Sequence, residues 1–370
     1  MKWVASTGAA CEDEGPVSDS RPRDAAPGGQ EDERWAEFWR SGALTSLPDA
    51  YAGNYAGAVR EFWREQFSRL ERGARVLDIG TGNGAIALLA ARHGAEHRLG
   101  FEIHAIDRAS IDPGTSLDGE AAKLARGVHF RGNVGVESLP FEDAGFDLIT
   151  SQYALEYTRI EQSARELARV LAPGGRLALL LHRSDARPVI GAREAVSQVI
   201  SIQDSGLLAA AGKLFERMAA NRAAGRPAAA LAEDREAEAA REAVNRAVAG
   251  LQRTAAGMRD PYLIEHSLSV LRQVHHDTRS GHSDAGKCPG GGAGLDRLHR
   301  DLAATRQRSE DLLACAHSAE ARAEILQRLS NCGLEVVHER PLHESRESER
   351  VLLGQAVCLE WSRASAGQGG

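Results

Sequence analysis

The pattern of apolar and polar positions divides the chain into a part that alternates strands with helices and a part that is helical throughout. Runs of β-branched and aliphatic residues of strand length are separated by segments with apolar residues every three or four positions. The predicted strands are Val76–Ile79, Glu102–Asp107, Val128–Asn133, Phe146–Ser151, Arg176–His182, Leu334–Glu339 and Val351–Trp361. The first five, separated by helices, are predicted to lie in a parallel α/β sheet, and the last two, joined by a polar loop, to form a hairpin.

Between residues 187 and 319 the strand pattern disappears. The apolar residues there recur at helical spacing and predict four or five amphipathic helices. Breaks are predicted at Gly225–Pro227, at Asp260–Pro261 and in the loop of Pro289 and the glycines that follow it. We interpret this segment as an all-helical insertion between the fifth and sixth strands, and we expect it to form a lid over a substrate pocket or to mediate a homodimer.

The ends of the chain and the segment before the first strand have compositions of their own. Residues 1–32 are polar and rich in Pro and Gly, which predicts a disordered tail, and residues 365–370 form a second tail. Residues 33–72 carry aromatic residues at helical spacing and are predicted to form a helical cap. Within it, Tyr51 and Tyr55 either pack as part of the cap or present an aromatic face to a cationic ligand.

Composition and charge argue against several classes of protein. The formal net charge is −7 and no block of five or more Lys or Arg occurs, so nucleic acid is not an expected partner. The five cysteines lack C-x-x-C spacing and suit a reducing cytoplasm. No apolar run approaches the ~20 residues that a membrane span needs. We therefore expect a soluble cytoplasmic protein that does not act at a membrane.

One cluster of residues in the helical part has the side chains of a metal site. The cluster comprises His275, His276, Asp277, His282, Asp284 and Cys288. Its spacing matches no established ligand pattern, so no metal site is predicted.

The first predicted strand ends in a glycine-rich turn, Asp78-Ile79-Gly80-Thr81-Gly82-Asn83-Gly84, which an Ala/Leu-rich helix follows. Glycines lack the Cβ that would obstruct a sharp turn and a close ligand, and the start of the helix offers unpaired N–H groups. The G-x-G-x-G spacing lacks the third glycine position of a G-x-G-x-x-G dinucleotide motif. The carboxylate of Asp78 would also repel a diphosphate.

This turn resembles motif I of the class I S-adenosylmethionine-dependent methyltransferases. A helix followed by Leu171-Ala-Pro-Gly-Gly175 and an apolar strand is a second match to that family, and the terminal hairpin is a third. The resemblance covers the predicted core segments 73–186 and 320–364. It implies a doubly wound, mostly parallel α/β sheet with a C-terminal antiparallel hairpin, and S-adenosylmethionine as the cofactor.

The resemblance also assigns roles to individual residues. It implies cofactor contacts from Asp78, Gly80, Thr81, Gly82, Gly84, Asp107, Asn133 and Ser151. Asp78 and the glycine turn would hold the methionine end, Asp107 the two ribose hydroxyls and Asn133 the adenine. The position of Asn133 departs from the usual register, so Val134 or Glu137 are alternatives for the adenine contact.

Three further residues are candidates for the chemistry. His182 ends the fifth strand and acts either as a general base or as a structural histidine. Tyr153 and Tyr157 either flank the transferred methyl group or pack against a neighbouring helix. The predicted reaction is in-line methyl transfer to an oxygen, nitrogen or carbon atom of a small molecule. The alternatives are a non-catalytic sensor or scaffold that binds the cofactor, and a nicotinamide-dependent oxidoreductase.

Overall fold

A computed structural model of the protein describes residues 29–280, 291–346 and 349–361, apart from residues 49, 52 and 317. The described chain divides into two compact units. The α/β unit contains the described residues of 29–190 and 314–361, and the helical unit contains those of 191–313.

The secondary structure alternates as the sequence predicts. The strands are β1 (Arg75–Ile79), β2 (Glu102–Ile106), β3 (Val128–Arg131), β4 (Phe146–Gln152), β5 (Leu171–Leu181), β6 (Leu334–Arg346) and β7 (Glu349–Trp361). The α-helices are α1 (Gln30–Arg40), α2 (Gly57–Phe67), α3 (Ala85–Glu96), α4 (Pro113–Ser116), α5 (Gly119–Ala125), α6 (Ile160–Val170), α7 (Arg187–Asp204), α8 (Leu207–Ala223), α9 (Arg235–Ala256), α10 (Tyr262–Ser280), α11 (Gly291–Cys315) and α12 (Ala319–Asn331). Short 3₁₀ turns occupy Leu155–Tyr157 and Ala228–Glu233.

The strands of the described residues form one seven-stranded sheet with the order β3-β2-β1-β4-β5-β7-β6. β1 to β5 run parallel, whereas β7 is antiparallel to both β5 and β6. The predicted parallel sheet with a C-terminal antiparallel hairpin is therefore confirmed, as is the placement of a helical segment between the fifth and sixth strands.

Alternation along the strands explains why helices cover both faces of the sheet. In β1, Val76 belongs to the core beneath α2 and α3, whereas Leu77 and Ile79 belong to the core on the other face. The first core includes Trp63 of α2, and the second includes Leu329 of α12. A strand that is buried on both faces reads as a continuous apolar run, and Val76–Ile79 is such a run apart from Asp78.

The boundaries of the last three predicted strands were wrong. β5 begins at Leu171, and a register shift in its pairing with β4 accommodates Pro173–Gly175 within it. The residues predicted as a polar loop between the last two strands instead extend β6 to Arg346 and begin β7 at Glu349. The two strands hydrogen-bond to each other along this extension, and Leu342 within it is buried in the core that also contains Trp63.

The helical unit has a core of its own. Buried Leu, Ile, Val and Ala side chains of α7 to α11 form it: Val199, Ile202, Leu207, Leu208, Ala211, Leu214, Ala240, Ala247, Leu251, Ile264, Leu268, Leu271, Val274, Leu295, Leu298 and Leu302, together with Phe215. The start of α9 follows from its sequence, since the Asp234 side chain accepts hydrogen bonds from the N–H groups of Glu236 and Ala237. The predicted roles of this unit as a lid or dimer surface stay predictions.

The described residues contain no helix that combines the length and apolar character of a membrane span. They also contain no group of three or more His, Cys, Asp or Glu side chains arranged to hold a metal ion. Three members of the cluster discussed above, His282, Asp284 and Cys288, lie outside the described residues, as do residues 1–28 and 362–370.

Candidate functional site

A cavity opens in the α/β unit at the carboxyl ends of β1, β2 and β4. Six of the predicted site residues line it: Asp78, Gly80, Thr81, Asp107, Tyr153 and Tyr157. The remaining wall comes mainly from α1, from the segment between α1 and α2, and from residues 134–137. Ligands of open α/β sheets bind at this edge.

The glycine turn after β1 brings the backbone to the cavity. Gly80 and Gly82 have left-handed φ angles of 63° and 53°. A Cβ atom on Gly80 would lie 2.2 Å from the Cβ of Ala154, and one on Gly82 would lie 2.4 Å from the ring of Trp39. Both positions therefore require glycine by conformation and by space. Gly82 lies beneath Trp39 and is not itself part of the cavity wall.

Gly84 starts the next helix. It precedes α3 with a left-handed φ of 87°, and a Cβ there would lie 2.6 Å from the ring of Phe130 in β3. The first two residues of α3, Ala85 and Ile86, line the cavity. Gly84 thus shapes the site through the position of α3, although it does not line the cavity.

Asp107, directly after β2, is a buried carboxylate that holds the glycine turn. Its Oδ2 accepts a hydrogen bond from the N–H of Gly82 at 2.7 Å, and its Oδ1 accepts one from the N–H of Ala109 at 2.8 Å. Burial raises the pKa of Asp107 to about 6, although both hydrogen bonds oppose the rise. Each carboxylate oxygen has two lone pairs, so hydroxyl donors of a ligand can still bind.

Asp78, at the end of β1, is the second buried carboxylate of the cavity. The hydroxyl of Thr81 donates to its Oδ2 at 2.5 Å, and the hydroxyl of Thr150 donates to its Oδ1 at 2.7 Å. Burial raises the pKa of Asp78 to about 6, and the nearby Asp107 adds to the rise. The two carboxylates give this part of the cavity a negative potential that suits a cationic ligand.

Helix α1 lies against the glycine turn and closes one side of the cavity. Trp35 and Trp39 of this helix line the cavity, and their rings stack with centroids 5.9 Å apart. The buried amide of Asn83 donates to the carbonyl of Trp39 at 2.7 Å. An ion pair joins Asp32 of α1 to Arg108, which follows β2. The sequence predicts an aromatic cap before the core but contains no direct sign of these contacts.

The structure does not bring Asn133 to the cavity. Asn133 is exposed and has a left-handed φ of 58°, and its N–H donates to the carbonyl of Ala109. The chain turns there, so the cavity wall is formed by the following residues, which include Val134 and Glu137. Val134 and Glu137 are the two residues predicted as alternatives to Asn133 for the adenine contact. Glu137 is held in place, because its Oε1 accepts a hydrogen bond from the N–H of Arg159 at 3.0 Å.

Two other predicted residues are buried beside the cavity and do not line it. The hydroxyl oxygen of Ser151 accepts a hydrogen bond from the N–H of Leu155 at 3.2 Å. The backbone N–H of His182 donates to Oε1 of Glu156 at 2.7 Å, and the His182 ring stacks on Tyr153 with centroids 4.3 Å apart. His182 thus packs against Tyr153, which is part of the cavity wall, and does not itself reach the cavity.

The tyrosines after β4 form part of the cavity wall with their rings. The Tyr153 hydroxyl donates to the carbonyl of Leu353 in β7 at 2.8 Å, and burial raises the pKa of Tyr153 well above its usual value. The Tyr153 hydroxyl therefore stays protonated and does not act as a base, and the residue contributes its ring to the cavity wall. Tyr157 makes an edge contact with the ring of Trp35 at 6.2 Å, which joins the wall after β4 to α1.

Sequence reasoning missed several residues of the cavity wall. Thr45 and Ser46 precede α2, and Gln152 ends β4. Gln152 lies between two predicted site residues, Ser151 and Tyr153, and its place at a strand end could have singled it out. Thr45 and Ser46 reach the cavity only through the fold of an irregular segment, which no periodic pattern marks.

The buried carboxylates make the stability of the protein pH dependent. The pKa of Asp78 is about 6 in the folded protein against an ordinary value of 3.8, so the folded state holds this proton more tightly and loses stability as the pH rises through this window. At about pH 7.5 we expect Asp78→Asn to raise the free energy of unfolding of the cofactor-free protein by on the order of 3 kcal/mol, and at about pH 4 the gain should vanish. Thermal or urea unfolding at both pH values measures the difference.

Asp112→Asn is the control for this comparison, because Asp112 is exposed and does not line the cavity. Its effect should be small at both pH values. A destabilisation by Asp78→Asn that is equal at both pH values would contradict the expectation, since it would show a structural role without a titration.

Comparisons with known proteins show similarity to methyltransferases. Residues 77–179 match the family model of a methyltransferase domain. The chain is 32% identical over 176 residues to the ubiquinone/menaquinone biosynthesis C-methyltransferase UbiE of Azotobacter vinelandii, covering 45% of this chain and 66% of the relative. It is 34% identical over 117 residues to the uncharacterized methyltransferase YcgJ of Bacillus subtilis, covering 31% and 44%.

Solved structures include similar proteins. The structure of Bacillus subtilis YcgJ shares 27% identity at a TM-score of 0.29, covering 38% of this chain and 58% of that one. A geranyl diphosphate C-methyltransferase of Streptomyces coelicolor shares 15% identity at a TM-score of 0.32, covering 43% and 67%.

The strand order, the glycine turn and the family match define the class. The α/β unit is a class I methyltransferase domain, and its cofactor is S-adenosylmethionine. The chain spans from 44% to 66% of the length of the two curated relatives named above.

Proposed function

We propose that the protein transfers the methyl group of S-adenosylmethionine to a small-molecule acceptor. The observation that carries this proposal is the convergence of Asp78, Asp107 and the glycine turn in one cavity with aromatic walls. A buried carboxylate pair beside left-handed glycines suits a ligand with a cationic end and a ribose.

The residues of the cavity fit the cofactor. Asp107 would accept hydrogen bonds from the ribose hydroxyls, and Asp78 with the turn at Gly80 would hold the ammonium end of the methionine. Val134 and Glu137 would line the adenine site in place of Asn133. The fit rests on the two carboxylates and on the turn, where a Cβ atom would clash. Bound S-adenosylmethionine supplies a methyl group already activated by its sulfonium sulfur.

The chain contributes positioning and exclusion of water to this reaction. The rings of Trp35, Trp39, Tyr153 and Tyr157 enclose the cavity with apolar faces. An in-line displacement requires that nucleophile and methyl be held collinear, and rigid rings restrict both. The Tyr153 ring is fixed on one side by its hydroxyl bond to β7 and on its face by the ring of His182.

The charges around the cavity favour an acceptor without negative charge. Its lining includes the carboxylates of Asp32, Asp78, Asp107 and Glu137, and its cation Arg108 is paired with Asp32. An anionic acceptor would meet net repulsion. The acceptor atom is an oxygen, a nitrogen or a carbon, and the relative named as a C-methyltransferase favours carbon.

Calorimetric titration of the purified protein tests the proposal. We expect S-adenosylmethionine and S-adenosylhomocysteine to bind and NAD not to bind, because the turn has the G-x-G-x-G spacing. Transfer of a labelled methyl group to fractionated small-molecule extracts then tests catalysis. Binding of NAD in preference to S-adenosylmethionine, or no binding of the sulfonium, would refute the proposal.

A further inference from the structure

Part of the cavity wall consists of uncharged polar side chains that the proposed cofactor contacts do not use. These residues, called the polar wall here, are Thr45, Ser46, Tyr55 and Gln152. Thr45 and Ser46 lie between α1 and α2, Tyr55 precedes α2, and Gln152 is the last residue of β4. All four are buried or half-buried, so each polar atom needs a partner from the protein or from a ligand.

The orientation of the Gln152 amide follows from its neighbour. The indole N–H of Trp63 donates to Oε1 of Gln152 at 2.6 Å, and an indole nitrogen can only donate. The amide therefore cannot be reversed, and Nε2 is left as the free end. Nε2 of Gln152 is buried and has no hydrogen-bond partner among the described residues, while the side chain is 9% exposed. A buried amide donor without a partner is costly unless a ligand binds it.

The other members of the polar wall are also uncharged, and one of them lacks a partner. The hydroxyls of Tyr55 and Ser46 are hydrogen-bonded at 3.0 Å. Burial raises the pKa of Tyr55 to about 12, against smaller opposing contributions from Ser46 and the adjacent Gln152 amide, so the phenol stays neutral. The hydroxyl of Thr45 is buried and has no hydrogen-bond partner among the described residues. Within the polar wall, Nε2 of Gln152 and the hydroxyl of Thr45 are thus the neutral donors that lack partners among the described residues.

We propose that Gln152 determines acceptor specificity, with its Nε2 donating a hydrogen bond to an uncharged oxygen of the acceptor, a phenolic hydroxyl or a carbonyl. Tyr55 and Ser46 complete the contact. The inference rests on the proposed function, because it assigns the polar wall to the acceptor and the carboxylate part of the cavity to the cofactor. A neutral oxygen is expected because a carboxylate there would share the cavity with Asp78 and Asp107 without a free cation in the described lining.

Nuclear magnetic resonance of the full chain tests this assignment with defined probes. Glutamine side chains are labelled with ¹⁵N, and the Gln152 NH₂ signals are assigned by their loss in Gln152→Leu. Gln355 is the internal reference, since it is buried outside the cavity and its Nε2 donates to Glu339 at 2.8 Å. Phenol and benzoate are then added separately to the complex with S-adenosylhomocysteine.

We expect phenol to shift the Gln152 NH₂ signals in that complex and to leave those of Gln355 in place. Benzoate, which has the same ring with a negative charge, should leave both in place. If phenol leaves the Gln152 signals unchanged, the inference is wrong. If S-adenosylhomocysteine alone shifts them and phenol adds nothing, the polar wall serves the methionine end of the cofactor, which also overturns it.

A binding measurement separates this inference from the proposed function. S-adenosylhomocysteine should bind Gln152→Leu and Gln152→Met within about threefold of the unaltered chain, because both changes leave the carboxylates of the cavity and its net charge as they are. A loss of tenfold or more in both would assign Gln152 to the cofactor and contradict the inference. If the unaltered chain fails to bind S-adenosylhomocysteine, it is the proposed function that fails.

Discussion

Asp107→Asn is expected to weaken the binding of S-adenosylmethionine by roughly 100-fold or more. Hydrogen bonds to a charged group contribute about 1.5–3 kcal/mol each, and 1.4 kcal/mol is a factor of ten in affinity. The variant removes the charge that would receive the ribose hydroxyls. In the unaltered protein, the N–H of Gly82 donates a hydrogen bond to Oδ2 of Asp107 at 2.7 Å. In the variant, this N–H would face either an amide NH₂ or an amide oxygen, which is a weaker acceptor. Calorimetric titration at about pH 7.5 measures the loss, at a pH where a carboxyl of pKa about 6 is ionised.

Asp112→Asn is the matched control for this prediction, because Asp112 is an exposed carboxylate outside the cavity. It should bind S-adenosylmethionine like the unaltered chain. Thermal unfolding of both variants shows whether the glycine turn is still folded. An Asp107→Asn protein that melts cooperatively and binds within threefold would remove Asp107 from the cofactor site.

Gly82→Ala is expected to produce the second large effect, through both the turn and α1. A left-handed conformation costs a residue with a Cβ roughly 1–2 kcal/mol. The new methyl group would also lie 2.4 Å from the Trp39 ring, so this ring, which lines the cavity, must shift. We expect lower stability and at least about tenfold weaker cofactor binding, as measured by unfolding and by titration.

Gly100→Ala isolates the cost of the backbone conformation. Gly100 has a φ of 63°, and a Cβ there would have no atom within 4 Å. Its loss of stability should be smaller and should leave cofactor binding unchanged. The double variant Gly82→Ala, Trp39→Ala should recover part of the binding lost in Gly82→Ala alone, if Trp39 is the obstacle. If cofactor binding does not recover in the double variant, the whole effect of Gly82→Ala arises from the conformation of the turn.

Both predictions concern contacts that a local sequence pattern cannot contain. Asp107 and Gly82 are 25 positions apart, and their hydrogen bond forms because β1 and β2 pair in parallel with Ile79 opposite Ile106. Gly82 and Trp39 meet because α1 packs over the turn. The glycines and the acid could be predicted as parts of a site, whereas their partners could not.

The predicted site residues differ in whether they line the cavity. Asp78 and Asp107 lie in one cavity, as their places at the ends of neighbouring parallel strands required. Asn133 is exposed because the chain turns after β3, one residue before the cavity wall begins. His182 is at the expected edge of the sheet, but the ring of Tyr153 stacks on it and it does not line the cavity. The side-chain directions of residues within a strand alternate regularly and can be predicted. The side-chain directions of residues after the strand depend on the geometry of the loop.

The sequence by itself determined the class of the protein. Alternating strands and helices, the glycine turn and the terminal hairpin are local patterns, because periodicity and backbone freedom are properties of short segments. Only the tertiary structure decided which side chains line the cavity. The Trp63 indole fixes the Gln152 amide across 89 positions of sequence, and α1 places Trp39 on Gly82. Such contacts arise when helices and strands distant in the chain pack together, and no pattern along the chain encodes their geometry.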